Sequence, residues 1–351
     1  MNFAFQQAKE LLRSCNVPSV LSVSPQDIFY LTGAIVSQGI MLITAEEVVL
    51  FLDGRYATSV TVTPPCRIVF APTIEACIPT LQSQKEIGFD PKTVTFDLYQ
   101  RLSTPLSSTK FVPSNQFFQL FRRQKTLYEI SAIQKACALC EQGFEFILQQ
   151  LSPGVTEQQL ANRLKSFWFT NNAEKLSFEP IIAFQEHSAC PHWRSSKTPL
   201  ESNSVILIDI GVCVDGYNSD MTRTLFFGTP DPQLVQYYNI VEQAYEMAAG
   251  LAKPTVLPSQ LDTAIKAFFA EHNCTELCLH SLGHGVGLDV HEPPRLHISS
   301  TEEALMVNEV LAIEPGLYIP GLGGIRIENT CVITDEGAQS LFSVPIHARY
   351  F

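Results

Sequence analysis

From His280 to Glu292 the chain reads His-Ser-Leu-Gly-His-Gly-Val-Gly-Leu-Asp-Val-His-Glu, with histidines at 280, 284 and 291 and glycines on both sides of the middle one. Upstream lie Asp209-Ile210-Gly211 and Asp220-Met221-Thr222-Arg223-Thr224; downstream lie Glu314-Pro315-Gly316 and Arg326-Ile327-Glu328-Asn329. Singly, each has a plain explanation. An acid in a strand is usually a paired structural group, a histidine beside glycine is usually a loop residue, and Glu-Pro-Gly alone is a turn. Together, one imidazole and four carboxylates make a hard, mixed donor set that suits two divalent first-row ions rather than a thiolate zinc site. Two such ions balance four carboxylates; without them the acids repel one another and take up protons. In paired sites the ions stand about 3.5–4 Å apart and can share one hydroxide as nucleophile. An acid beside that hydroxide can pass protons.

Elements far apart in the chain must bring these donors together. Ser204–Val212 reads as a strongly apolar strand interrupted by Asp209, where a carboxylate is costly unless paired or metal-bound. Tyr217–Phe227 reads as its hairpin partner, with Asp220 inside it. Leu234–Leu251 and Ser259–Glu271 read as helices, the second opened by a capping signal from Ser259 and Asp262. The Glu314 and Glu328 strands follow. Earlier, Ile130, Ile133, Ala136, Cys137, Cys140, Phe144, Ile147 and Leu148 mark one side of a long helix. Ser152-Pro153-Gly154 stops it, and Thr156-Glu157-Gln158-Gln159 is a capping box for the next. Ser188-Ala189-Cys190-Pro191-His192-Trp193 is a loop.

Towards the amino terminus, residues 2–16 read as an amphipathic helix through Phe5, Ala8, Leu11 and Leu12. Strands are expected near 20–23, 41–44, 48–52, 67–70 and 86–89, with a helix at 74–84. No histidine–carboxylate cluster falls there, so this part reads as a scaffold or lid. Phe121-Arg122-Arg123-Gln124-Lys125 marks the boundary, giving domains 1–121 and 122–351.

Composition agrees with two domains in 351 residues, and 46% hydrophobic content provides ample core. A formal net charge of −12 argues against nucleic acid. No apolar run reaches the roughly 18 residues of a membrane span, and the first residues lack a secretory pattern. A cytoplasmic protein is expected. The ten cysteines read mostly as reduced, small hydrophobes; Cys137 and Cys140 form C-x-x-C, but on a helical pattern with no second pair to complete a zinc site.

The chain resembles the pita-bread metallopeptidases: methionine aminopeptidase, aminopeptidase P (Xaa-Pro aminopeptidase) and prolidase. The stretches that carry the resemblance are those around Asp209, Asp220, Gly283-His284-Gly285-Val286-Gly287-Leu288, Glu314-Pro315-Gly316 and Gly324-Ile325-Arg326-Ile327-Glu328. Tyr30-Leu31-Thr32-Gly33 and Asp53-Gly54-Arg55-Tyr56 resemble the creatinase-type amino domain of the proline-directed members. The resemblance covers essentially the whole chain. It implies an α/β fold of the α+β type: a C-terminal pita-bread catalytic domain preceded by a smaller creatinase-type α/β amino domain. It implies that Asp209 binds one ion, His284 and Glu314 hold the other, and Asp220 and Glu328 bridge. Glu314 becomes the proton shuttle, and His192 and His291 the substrate-side histidines. His280 and Arg326 orient the ligands. His187 matches no role and reads as a surface loop residue.

The implied activity is metal-dependent hydrolysis of the bond between an N-terminal residue and a following proline. The expected cofactors are two divalent ions, Mn²⁺ foremost, with Co²⁺ or Zn²⁺ as alternatives. The expected partners are short peptides with proline second, and a second copy in a homodimer. Between Xaa-Pro aminopeptidase and prolidase the reading leans to the aminopeptidase. Arg295 could grip a dipeptide's free carboxylate and would then favour prolidase. A creatinase-like amidinohydrolase, which works without metal, and a non-catalytic peptide-binding relative are disfavoured because all five ligand positions are filled.

Overall fold

The computed structural model describes residues 3–62, 66–113 and 117–351. It divides into two compact units, Met1–Arg122 and Arg123–Phe351. The first unit is built on a six-stranded mixed sheet. Its strands run Cys66–Phe70, Val48–Leu52, Ile40–Thr44, Ser19–Ser22, Glu86–Phe89 and Lys110–Pro113 from one edge to the other. The three inner strands nearest the first edge are buried at every position, which is why they read as continuous apolar runs rather than alternation. The helix Pro25–Thr32 starts where Ser24 accepts the Asp27 N–H and ends at Gly33, whose φ of 72° needs glycine's freedom. Tyr30-Leu31-Thr32-Gly33 is therefore the end of a helix. The helix expected at 74–84 is broken into a 3-10 turn, Ile74–Cys77, and a single α turn, Ile78–Leu81; Pro79 stands in the first turn of the second piece, where its missing N–H costs no intrahelical bond.

The second unit opens with the 22-residue helix Leu127–Leu148, capped reciprocally by Thr126 and Glu129. Strands Met221–Phe227, Ser204–Ile210 and Ile181–Phe184 form one antiparallel sheet. A second runs Glu292–Leu296, Gly283–Gly285, Val310–Ile313, Asn329–Thr334, Gly337–Ser340. The hairpin Gly316–Ile319 and Gly323–Arg326 is separate. Helices Pro232–Leu251 and Pro258–Glu271 cover a core that includes Val241, Phe269, Leu311, Ile313 and Ile325, each worth about 1.5–3 kcal/mol when fully buried. Among the described residues no helix is long and apolar enough to cross a membrane.

Two local expectations are corrected. Tyr217–Phe227 is not one strand: Tyr217–Asn218 pairs with Val212–Val214, and Met221–Phe227 pairs with Ser204–Ile210. Ser219 and Asp220 occupy the break. The chain crosses itself there so closely that a Cβ on Gly211 would lie 2.3 Å from the Ser219 carbonyl oxygen. The other correction concerns the helix at 258–271, which begins with Pro258 in its first turn. Asp262 is not part of a cap. It is buried and accepts from Leu282 N at 3.1 Å, Ile298 N at 2.7 Å and Lys266 Nζ at 2.6 Å. The nine cysteines whose side chains are described are free thiols, and Cys137 and Cys140 are buried on their helix.

Candidate metal centre and substrate face

The sequence-predicted ligands come from both sheets and the turns between them. Asp209 lies one residue before the end of Ser204–Ile210, opposite Thr222. Asp220 stands at the break before Met221, its backbone N–H donating to Thr330 Oγ1 at 3.0 Å. His284 is the centre of the strand Gly283–Gly285. Gly283 must be glycine, because a Cβ there would fall 2.0 Å from the Ala312 carbonyl oxygen. Glu314 follows Val310–Ile313, and its N–H donates to Leu282 O at 2.8 Å. Glu328 lies in the step between Gly323–Arg326 and Asn329–Thr334, fixed by its N–H to Thr222 O at 3.1 Å.

These groups converge. One donor atom each from Asp220, His284 and Glu328 lies within 4.8 Å of the others. His284 Nδ1 faces Gly285 O at 3.0 Å, so Nε2 keeps its lone pair. Nε2 stands 3.7 Å from both Asp220 Oδ2 and Glu314 Oε1, too far for hydrogen bonds. Burial, with the His291 charge next, pushes the His284 pKa down to about 3, so the ring is neutral and able to ligate. Burial and then mutual repulsion among the acids push Asp220 and Glu314 well above the usual carboxylate range, and Glu328 up to about 7. Asp209 Oδ1 is buried with no hydrogen-bond partner among the described residues, a costly state. Crowded acids, a neutral imidazole and an orphaned carboxylate oxygen fit divalent cations, which would relieve all three conditions.

A supporting network lies behind the ligands. Arg326 donates to Asp209 Oδ2 at 2.5 Å, to Tyr318 Oη at 2.6 Å and, through Nε, to Thr222 Oγ1 at 3.1 Å. The Thr222 hydroxyl donates to Glu328 Oε2 at 2.6 Å. Tyr318 Oη, having accepted from Arg326, points its own proton at His280 Nε2, 2.7 Å away. His280 Nδ1 is left to donate to Ser281 O at 2.7 Å. Burial, then the Arg326 charge, lowers the His280 pKa to about 4, so this ring is neutral with its proton on Nδ1. Arg326 and His280 are thus joined to the acid cluster through Tyr318 and Asp209. Tyr318 and Thr222 were not assigned roles from sequence; a tyrosine within four residues of Glu314, in a glycine-rich hairpin, is the only signal they offered.

The predicted substrate-side residues are exposed. His291 is exposed, with its ring 4.1 Å from that of His284. Partial burial and the charges at His192 and Arg295 lower its pKa, against the opposing pull of Asp209. His192 is exposed in its loop, and its charge also acts on His280. Arg295 pairs in register with His284 and is exposed; its guanidinium has no hydrogen bond or ion pair among the described residues. His187 is not a bare surface residue. Its Nδ1 lies 2.8 Å from Glu157 Oε1, and its ring stacks on Trp193 at 3.8 Å.

Comparison with known proteins bears on this arrangement. Metallopeptidase family M24 matches residues 131–335, and the Creatinase/Prolidase N-terminal domain matches residues 5–124. The chain is 30% identical to a protein of Pyrococcus horikoshii named Xaa-Pro dipeptidase, over 97% of both chains. Among solved structures it resembles the Xaa-Pro dipeptidase from Bacillus anthracis (TM-score 0.94, 27% identity, 99% of both chains). It also resembles the X-Pro aminopeptidase from Thermotoga maritima (TM-score 0.87, 29% identity, 97% of this chain and 100% of that one).

Proposed function

The chain belongs to metallopeptidase family M24 as a metallo-exopeptidase, and on that footing we propose that it hydrolyses Xaa-Pro dipeptides. The sequence alone leaned towards an aminopeptidase. The relatives named Xaa-Pro dipeptidase, aligned nearly end to end, favour the alternative. The observation that carries it is Arg295: an exposed guanidinium, in register with His284, with no acidic partner among the described residues. An unpaired arginine beside the reacting centre suits bidentate capture of a carboxylate, and a dipeptide places its free carboxylate one residue beyond the scissile bond.

In this reading Asp209, Asp220, His284, Glu314 and Glu328 hold two divalent ions, with Mn²⁺ the first choice and Co²⁺ or Zn²⁺ as alternatives. When bound, such ions supply Lewis acidity and an acidified water as nucleophile at neutral pH. The protein's own groups do the rest. Glu314, whose side chain is 18% exposed against 6% for Asp220, is the acid best placed to exchange protons with solvent, taking one from the nucleophile and passing it to the departing proline nitrogen. His291, held neutral by its lowered pKa, keeps an N–H to donate to the oxygen of the scissile carbonyl. His192 faces it across the substrate. Arg326, through Asp209, and Thr222, through Glu328, keep two carboxylates pointed at the centre.

The test compares a Xaa-Pro dipeptide, its C-terminal amide and a Xaa-Pro-Xaa tripeptide on the Mn²⁺-loaded protein. Hydrolysis confined to the free dipeptide is expected. Arg295→Ala lowers kcat/KM on the dipeptide by roughly 10- to 100-fold, the worth of a charged hydrogen-bond pair. Equal hydrolysis of the tripeptide would make the enzyme a Xaa-Pro aminopeptidase instead.

A further inference from the structure

Glu157 is the first residue of the helix Glu157–Thr170. An acid at that position is ordinarily explained by the helix dipole and faces solvent. This one is 0% exposed, and its carboxylate is turned to another segment. Oε1 accepts from Phe184 N at 2.8 Å and lies 2.8 Å from His187 Nδ1. Oε2 accepts from Ser196 N and Ser196 Oγ, both at 2.7 Å, and from Trp193 Nε1 at 3.0 Å. All these donors lie between residues 184 and 196, the segment that carries His192. Burial would raise the carboxyl pKa; the bonds from Trp193, Phe184, His187 and Ser196 outweigh it and hold the group below its ordinary value.

The other foot of the segment is fixed too. Ser188 Oγ accepts from Gly324 N at 2.7 Å, and a Cβ on Gly324 would meet Ser188 O at 2.0 Å. The 3-10 turn Gln185–Ala189 therefore sits directly on the strand Gly323–Arg326. Cys190 and His192 remain exposed at the tip.

We propose that Glu157 is a positioning residue of the reaction: a single buried carboxylate gathers residues 184–196 and so sets where the His192 imidazole stands over the site. This rests on the substrate-side role given to His192 above. Without the carboxylate the segment samples positions from which His192 does not meet substrate, and apparent affinity falls with the competent fraction. Glutamine cannot replace the acid. Its NH₂ would face a backbone N–H in either orientation, Phe184 on one side or Ser196 on the other.

The experiment uses the full chain loaded with Mn²⁺ and a Xaa-Pro dipeptide. Glu157→Gln raises KM and lowers kcat/KM by roughly 10- to 100-fold, the range for partners that orient an active group, with the metal content unchanged. Hydrogen exchange at the Phe184 and Ser196 amides speeds up. Trp193→Phe, which removes one donor and keeps an aromatic ring, acts in the same direction with a smaller effect and decides the matter if Glu157→Gln does not fold. In a His192→Ala background the loss from either variant disappears, because coupled residues are not additive. A kcat/KM within twofold of wild type, or a loss that simply adds to that of His192→Ala, overturns the inference and leaves the role of His192 standing. Wild-type activity in His192→Ala itself overturns that role and the inference with it.

Discussion

His284 sits on a three-residue strand hydrogen-bonded on both sides, and its residue is 8% exposed. His192 stands in a loop, exposed, inside a turn closed by Trp193 N–H to Cys190 O at 3.1 Å, with the segment's ends held by Glu157 and Ser188. The same contrast holds for the rest of each set. Asp209, Asp220 and Glu328 are buried and lie in or immediately beside strands, each tied by backbone or side-chain hydrogen bonds to the opposite strand. His291 is exposed, and the residue that anchors its neighbourhood is Glu292, whose side chain is fully buried and bonds Lys125 Nζ at 2.7 Å. Groups that concentrate charge are built into the sheets, where neighbours fix their direction. The exposed histidines sit on loops, each segment with a buried acid hydrogen-bonded behind it.

That contrast can be broken from either side. Asp220→Ala removes a strand-borne carboxylate and leaves the loops untouched. It lowers kcat by more than about 10³-fold in a protein with an unchanged circular dichroism spectrum, an effect of the size that loss of a principal catalytic group produces. Wild-type turnover in that variant would take Asp220 out of the centre. Tyr318→Phe is milder. It strips one acceptor from Arg326 and one donor from His280, leaving buried groups short of a partner at about 1–3 kcal/mol of stability. Metal affinity falls about tenfold; a titration that matches wild type would show that the network behind Asp209 does not tune the ligands.

The smallest effect is in pH. In the metal-free protein Glu328 titrates at about 7 instead of 4.5 because of burial and then the Asp209 charge. Between those values the folded state holds a proton that the unfolded state has released. His280 and His284, held at about 4 and 3, pull the other way until the unfolded histidines lose their protons, so stability of the metal-free protein falls as pH rises from about 6.5 upward. Asp220 and Glu314, which burial also raises well above the usual carboxylate range, act in the same direction. Thermal melts over this range show a downward slope without metal, and the slope flattens with Mn²⁺ present. A metal-free melting temperature that rises over the same interval contradicts the crowding of acids.

Much of the centre was legible because its residues announce themselves by type and by local setting. Asp209 interrupts an apolar strand, and His284 sits among glycines that the close approach of neighbouring strands requires. The long helix and the inner strands followed from periodicity and apolar runs. What escaped were residues whose partners are distant. Glu157 looked like part of a capping box, which indeed forms between Thr156 and Gln159, and nothing local pointed to Trp193 or Ser196. Asp262 looked like a cap and instead holds Leu282 and Ile298. His187 looked like a loop residue because its partner lies thirty positions away. Local pattern reports backbone conformation and one face of burial; it carries no record of which buried acid meets which donor across the fold.

Five residues of the second unit, Asp209, Asp220, His284, Glu314 and Glu328, are proposed to hold two divalent ions. Native mass spectrometry of the full chain titrated with Mn²⁺, with Asp220→Ala measured alongside, tests the proposal directly. Two ions per wild-type chain and fewer than two in the variant are expected. A single ion at saturation in the wild type, or two in both proteins, would contradict it.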